Sequence, residues 1–250
     1  MTMNIAFLHG GGQGSWVWGD TIEALQAQRG RDVANVLKLD VPGCGSKRRR
    51  STDDLTLEDV AHELIQDIEA SGLKDVVLVG HSQAGQAMAL MMTRHPQLFQ
   101  RFIYVSCSIP LPGQSVQQMI GQGLQGDNPE EVGWPMDPAT TPIEQRYETM
   151  FCNDMGQSAK TEFLSELGSD HWPLATYAFT DWNYHSLDVV PSTFVLCLRD
   201  KILPAGWQHV FAERFRTERT VMIDAGHQVM NTRPHGLAEV IRIEADRSAI

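Results

Sequence analysis

A chain of 250 residues is long enough for one α/β domain with a substantial core, and 42% apolar with 20% charged residues describes a globular polypeptide. Twenty basic against 31 acidic side chains leave a net charge of −11, which argues against nucleic acid, a partner that needs clustered positive charge. The four cysteines are scattered without a C-x-x-C pair, so neither a disulfide framework nor a metal site is expected.

The first residues run straight into an apolar segment, without the basic and long apolar regions of a signal peptide, and no apolar run approaches the roughly 20 residues that span a bilayer. A cytoplasmic protein without membrane association is expected. Short apolar runs at 5–8, 33–41, 76–79, 102–105, 193–198 and 220–223 predict strands. Each is nearly continuous in hydrophobicity, as in a sheet covered on both faces. The basic run Lys47-Arg48-Arg49-Arg50 reads as a solvated loop. Residues 56–70 carry Leu57, Val60, Ala61, Leu64, Ile65 and Ile68 at helical spacing. Helices are also predicted over 83–94, rich in Ala and Met, and over 234–245, which opens on proline. Cys107 and Cys197 fall in or beside apolar strands and read as small core residues.

This alternation predicts an α/β fold with a mostly parallel, about six-stranded sheet flanked by helices. One interval breaks it. Proline and glycine cluster between 110 and 126, helix-compatible segments follow at 143–150 and 158–166, and then come Trp172, Tyr177, Phe179, Trp182 and Tyr184. The expected division is a core of residues 1–107 and 190–250 and a helical cap insertion over 108–189. Open α/β sheets bind ligands at the carboxyl ends of their strands, where such a cap would wall a pocket.

The stretch Gly80-His81-Ser82-Gln83-Ala84-Gly85 follows the third predicted strand and opens a helix. A nucleophile elbow has this form: a serine on a sharp, strained turn, with small neighbours where strand and helix approach. The following helix directs its positive end at the serine. A serine hydroxyl needs an adjacent base, and of nine histidines only His227 directly follows the last predicted strand. The base needs a carboxylate to hold its tautomer. Asp200 follows the preceding strand; Asp224 is the rival, only three residues before His227. The glycine-rich stretch His9-Gly10-Gly11-Gly12-Gln13-Gly14 follows the first strand and lacks the ending of a nucleotide-binding loop. The backbone amides of Gly11 and Gln83 are the expected oxyanion donors, and His9 is expected to brace the loop.

Together these residues resemble the α/β-hydrolase fold family, with the order Ser82, Asp200, His227. Asp40-Val41-Pro42-Gly43-Cys44-Gly45-Ser46 matches a loop of that family. Gly14-Ser15-Trp16-Val17-Trp18, Asp200-Lys201-Ile202-Leu203-Pro204 and the single cap are similar to the compact branch of plant-type methylesterases, bacterial esterases and hydroxynitrile lyases. The resemblance implies a serine esterase for a small carboxylic ester, lactone or thioester, needing no cofactor or metal. Two other readings stay open: a hydroxynitrile lyase-type C–C lyase, and a weakly catalytic small-molecule receptor. One lyase type places lysine after the triad histidine, where this chain has Gln228; another places asparagine after the motif histidine, where this chain has Gly10. Both differences favour hydrolysis. The side chains of Gln83 and Gln228 either reach the substrate or pack inward, and Trp172, Tyr177, Trp182 and Tyr184 are expected pocket walls. Oligomeric state is left open, a homodimer included.

Overall fold

A computed structural model describes residues 3–28 and 35–247. At its centre lies a six-stranded, wholly parallel sheet in the order β2-β1-β3-β4-β5-β6. The strands are β1 (Asn4–Leu8), β2 (Asn35–Leu39), β3 (Val76–His81), β4 (Phe99–Val105), β5 (Ser192–Cys197) and β6 (Arg219–Ile223). Residues 33 and 34 of the second predicted strand lie outside the described residues.

The inner strands are mostly apolar because successive side chains enter different cores, with Arg101, Ser192 and Thr193 among the buried polar exceptions. Leu78, Phe102, Tyr104 and Phe194 face the layer of helices α2 (Leu57–Ser71), α3 (Ala84–Arg94) and α7 (Ala205–Arg214). Val77, Val79, Ile103 and Val195 face α1 (Gly19–Ala27), α8 (Val229–Thr232) and α9 (Pro234–Arg247), whose Leu237 and Ile241 are fully buried. Helix α2 starts at a capping box, Thr56 with Asp59, and stops at Gly72 in the left-handed region.

Between β4 and β5 the chain forms α4 (Val116–Ile120), α5 (Ile143–Phe151) and α6 (Gln157–Glu166). Helix α4 arises where only a proline- and glycine-rich stretch was expected; the Ser115–Gln118 capping box holds this single short turn. This segment is pinned to the core through Asp170, which is fully buried. Its carboxylate accepts hydrogen bonds from Arg48 Nε (2.8 Å) and Nη2 (3.0 Å), Trp16 Nε1 (2.9 Å) and Gly45 N (2.8 Å). The basic run is therefore not simply solvated, as its composition implied. Arg48 clamps Asp170, while Lys47 and Arg50 pair with Glu63 on α2. The motif loop after β2 is stapled likewise: Asp40 accepts from Ser15 N (2.7 Å), Ser46 N (2.9 Å) and Ser46 Oγ (2.7 Å). Burial pushes the Asp40 carboxyl up, but these bonds outweigh it and hold it below the usual range.

Candidate active site

Because the strands run parallel, their carboxyl ends share one rim of the sheet, and five of them deliver candidate site residues there. His9–Gly11 follow β1, Ser82 follows β3, Ser106 follows β4, Asp200 follows β5 and His227 follows β6.

Ser82 has φ +55°, a left-handed conformation that costs a non-glycine residue about 1–3 kcal/mol. The surroundings enforce it. Ser82 N donates to Val105 O at 3.0 Å, and its carbonyl accepts from Gly85 N at 3.2 Å and Ser108 N at 3.3 Å. A Cβ at Gly85 would stand 2.7 Å from Phe215 and 2.8 Å from Cys107, so the helix packs this tightly only with glycine there.

His227 Nδ1 donates to Asp200 Oδ2 at 2.6 Å, with both side chains buried. The Asp200 carboxylate is further oriented by Ser106 Oγ on Oδ2 (2.5 Å) and by the amides of Ile202 (2.7 Å) and Leu203 (2.9 Å) on Oδ1. That bond to Nδ1 leaves His227 Nε2 as the free ring nitrogen. Asp224 lies outside this relay, exposed and paired with Arg199 at 2.7 Å. Ser82 and His227 border the same cavity without a hydrogen bond between them. Catalytic bonds of this kind commonly tighten only with substrate in place.

The backbone of His227 is itself anchored: His81 Nε2 donates to its carbonyl at 2.9 Å. Burial, together with the neighbouring His227, pushes the His81 pKa well below that of a free imidazole, so His81 is a neutral donor. The preceding residue is fixed from the segment between β4 and β5, where Asp154 Oδ2 accepts from Gly226 N at 2.8 Å.

Gly11 and Gln83 both line the cavity. The Gly10 carbonyl accepts from His9 Nδ1 (2.8 Å) and Trp172 Nε1 (3.1 Å). In a planar trans peptide the next N–H points the opposite way, so these two donors aim the Gly11 amide. His9 Nε2 in turn accepts from Val41 N at 3.1 Å, which fixes its tautomer. A Cβ on Gly11 would collide with the Gln83 side chain.

The cavity has a volume of about 230 Å³. Of the four aromatic residues expected as walls, only Tyr177 borders it. Trp172 is fully engaged beneath the glycine loop, Trp182 donates to Gln114 O at 2.8 Å, and Tyr184 stands half-buried elsewhere. Gln228 is buried away from the cavity. Met119, Val132, Trp134, Met150 and Phe151 form the apolar roof instead. Ser106 and Gln86 escaped the sequence reading. The signal for Ser106 was a polar residue at a strand's carboxyl end; Gln86 was marked only by a polar side chain within an otherwise apolar helix face. Among the described residues, no group of three or more His, Cys, Asp or Glu is placed to hold a metal ion, and no helix is long and apolar enough to cross a membrane.

Norfluorocurarine synthase 2 from a Strychnos species is 27% identical over 257 residues, 95% of this chain and 93% of the relative. The carbendazim hydrolyzing esterase of Nocardioides sp. (strain SG-4G) is 30% identical over 121 residues, covering 48% of each chain. Among solved structures, polyneuridine aldehyde esterase superposes with a TM-score of 0.76 at 19% identity, covering 98% of this chain and 100% of that one. The methylesterase protein MES16 from Arabidopsis gives 0.73 at 16%, covering 98% and 99%. These two likenesses carry the fold. A model of the alpha/beta hydrolase family matches residues 5–240, and the chain belongs to that family.

Proposed function

We propose that the protein hydrolyses small carboxylic esters through an acyl-enzyme on Ser82. The observation that carries this reading is the buried Asp200–His227 hydrogen bond at the rim where Ser82 holds a left-handed backbone, all bordering or backing one apolar cavity. Relatives named as esterases support the same class of reaction.

In this reading His227 Nε2 takes the Ser82 proton as Oγ attacks the acyl carbon. Charge on the carbonyl oxygen is met by the amides of Gly11 and Gln83, each worth about 2.7–4 kcal/mol in the transition state. The imidazolium, steadied by Asp200, then protonates the departing alcohol. Water, deprotonated by His227, attacks the acyl carbon; its bond to Ser82 Oγ breaks, Oγ takes the proton back from His227, and the carboxylic acid leaves. Because these steps develop charge, the largely apolar lining of the cavity, by lowering the local dielectric, strengthens each of these interactions.

The test is turnover of methyl and nitrophenyl esters, lactones, thioesters and a cyanohydrin by the wild type and by Ser82→Ala. Ester turnover lost by at least about 10³-fold in a folded variant is the expected result. Cyanide release from mandelonitrile without ester turnover would replace hydrolysis by lyase chemistry.

A further inference from the structure

The loops that carry Asp200 and His227 are gripped from outside the sheet. Helix α5 brings Met150 and Phe151 to the cavity, and the Phe151 ring stands edge-on to that of His227 with centroids 5.9 Å apart. The helix ends there, and the chain goes on to Asn153 and Asp154. Asn153 Nδ2 donates to Arg199 O at 2.8 Å, the carbonyl that shares a rigid peptide plane with the amide of Asp200. Asp154 Oδ2 accepts from Gly226 N at 2.8 Å, one residue ahead of His227. Consecutive side chains thus hold the residue before the acid and the residue before the base.

The Asp154 side chain is only 2% exposed. Its Oδ1 is buried without a hydrogen-bond partner, and the guanidinium groups of Arg199 and Arg233 stand 3.7 and 3.9 Å from Oδ2. A carboxylate so placed gives up water at both oxygens and gains one charge-assisted bond to a backbone amide. The chain opposite is shaped to receive it. A Cβ on Gly226 would stand 2.3 Å from Asn153 Oδ1 and 2.5 Å from Asp154 Oδ1. Arg199 N also donates to Ala225 O at 2.9 Å, which ties the two gripped loops to each other. His227 is then held on both sides of its backbone, by Asp154 ahead of it and by His81 at its own carbonyl.

We propose that Asn153 and Asp154 are positioning residues, which hold the Asp200–His227 pair in register with Ser82 from the same segment that roofs the cavity. This rests on the Ser82 reading for the identity of the reaction and adds the residues that set its geometry. A misplacement of about 1 Å can cost 10²-fold in rate, so loss of the grip shows in the chemical step and not in binding.

The rate at which a fluorophosphonate labels Ser82 tests the pair without requiring the natural ester. Asp154→Ala should slow labelling by at least about tenfold. Asp154→Asn, whose amide oxygen can still accept from Gly226 N, should stay within about threefold of the wild type. With an ester that is turned over, Asp154→Ala should lower kcat and leave KM within about twofold. Asp137→Ala controls for general loosening. It removes a carboxylate that accepts from Ala139 N and Thr140 Oγ1, both at 2.8 Å, in another turn of the same segment, and should change labelling by less than about twofold. Should Asp154→Ala not fold, Gly226→Ala displaces the pair from the other side and should slow labelling likewise. Undiminished labelling of Asp154→Ala, or of Gly226→Ala in its place, overturns the proposal. So does Asp154→Asn as slow as Asp154→Ala, or Asp137→Ala equally slow. A wild type that the probe never labels would remove the Ser82 reading and this one with it. Labelling that depends on Asp154 in a protein inert to every ester would keep the positioning role and remove only the esterase reading.

Discussion

Across the cavity, the turn at Ser82 faces the stretch that includes Trp134, Met150 and Phe151, and the two are built differently. The Ser82 turn is set by the ends of β3 and β4, with backbone bonds to Val105 and Ser108 and a helix packed so closely that Gly85 has no room for a Cβ. The roof consists of short elements joined by turns, where a bond such as Trp134 Nε1 to Gly121 O (3.1 Å) links neighbours in sequence. Rigid placement belongs to the rim, shape to the roof. Contacts that join them include Trp172 on Gly10, Tyr177 on Gln83, Asp154 on Gly226 and the Phe151 ring against that of His227. Substitution in the roof therefore alters which ester fits, and reaches the reaction itself through such joints.

The sharpest way to break that contrast is at the rim. Asp200→Asn should lower kcat by about 10⁴-fold, the scale seen when a triad carboxylate can no longer hold its histidine's tautomer. Asp224→Asn, at an exposed side chain, should change kcat by less than about twofold. Steady-state kinetics that reversed the two would move the acid to Asp224.

A smaller effect should appear at a joint. Trp172→Phe keeps an aromatic ring but loses the donor to the Gly10 carbonyl, loosening the aim of the Gly11 amide. A fall in kcat of about tenfold with little change in KM is expected, since the loss is confined to the transition state. A change in KM alone would make Trp172 part of the roof. Ser106→Ala removes one of two donors to Asp200 Oδ2 and should cost only a few-fold, because His227 Nδ1 and two backbone amides still hold the carboxylate.

The last prediction concerns acid rather than activity. His81 and His9 both have lowered pKa values, chiefly through burial, from an ordinary value of 6.5. Below pH 6.5 the unfolded chain binds protons at these positions that the folded rim refuses, so stability must fall as the pH drops. Each histidine contributes a slope of at most about 1.4 kcal/mol per pH unit. Urea unfolding at pH 7.5 and 5.5 checks this; a flat stability would mean that both imidazoles protonate inside the fold. The depressed carboxyls of Asp40 and Asp170 act in the same direction, but only below their unfolded value of 3.8.

The sheet was readable because two-sided burial writes itself as continuous apolar runs, and the order of motifs at strand ends names the rim. The placement of Ser82 and His227 at that rim was legible on those grounds, as small neighbours and strand-end positions are local properties. The roof was not. Helix α4 is too short to show a period, and that its Val116, Met119 and Ile120 line the cavity is set by chain distant in sequence. Trp172 and Trp182 looked like walls by residue type, yet their indole N–H groups are spent on backbone carbonyls, a pairing that depends on residues 162 and 68 positions away. The Arg48–Asp170 clamp, spanning 122 positions, was hidden for the same reason.

The central claim is that Ser82 is the nucleophile and His227 its base, and covalent labelling tests it most directly. A fluorophosphonate should add once to the wild type, with the adduct on Ser82 by peptide mass spectrometry, and should label Ser82→Ala and His227→Gln at least about 10³-fold more slowly. Labelling on another residue, or at an undiminished rate in His227→Gln, would contradict the account.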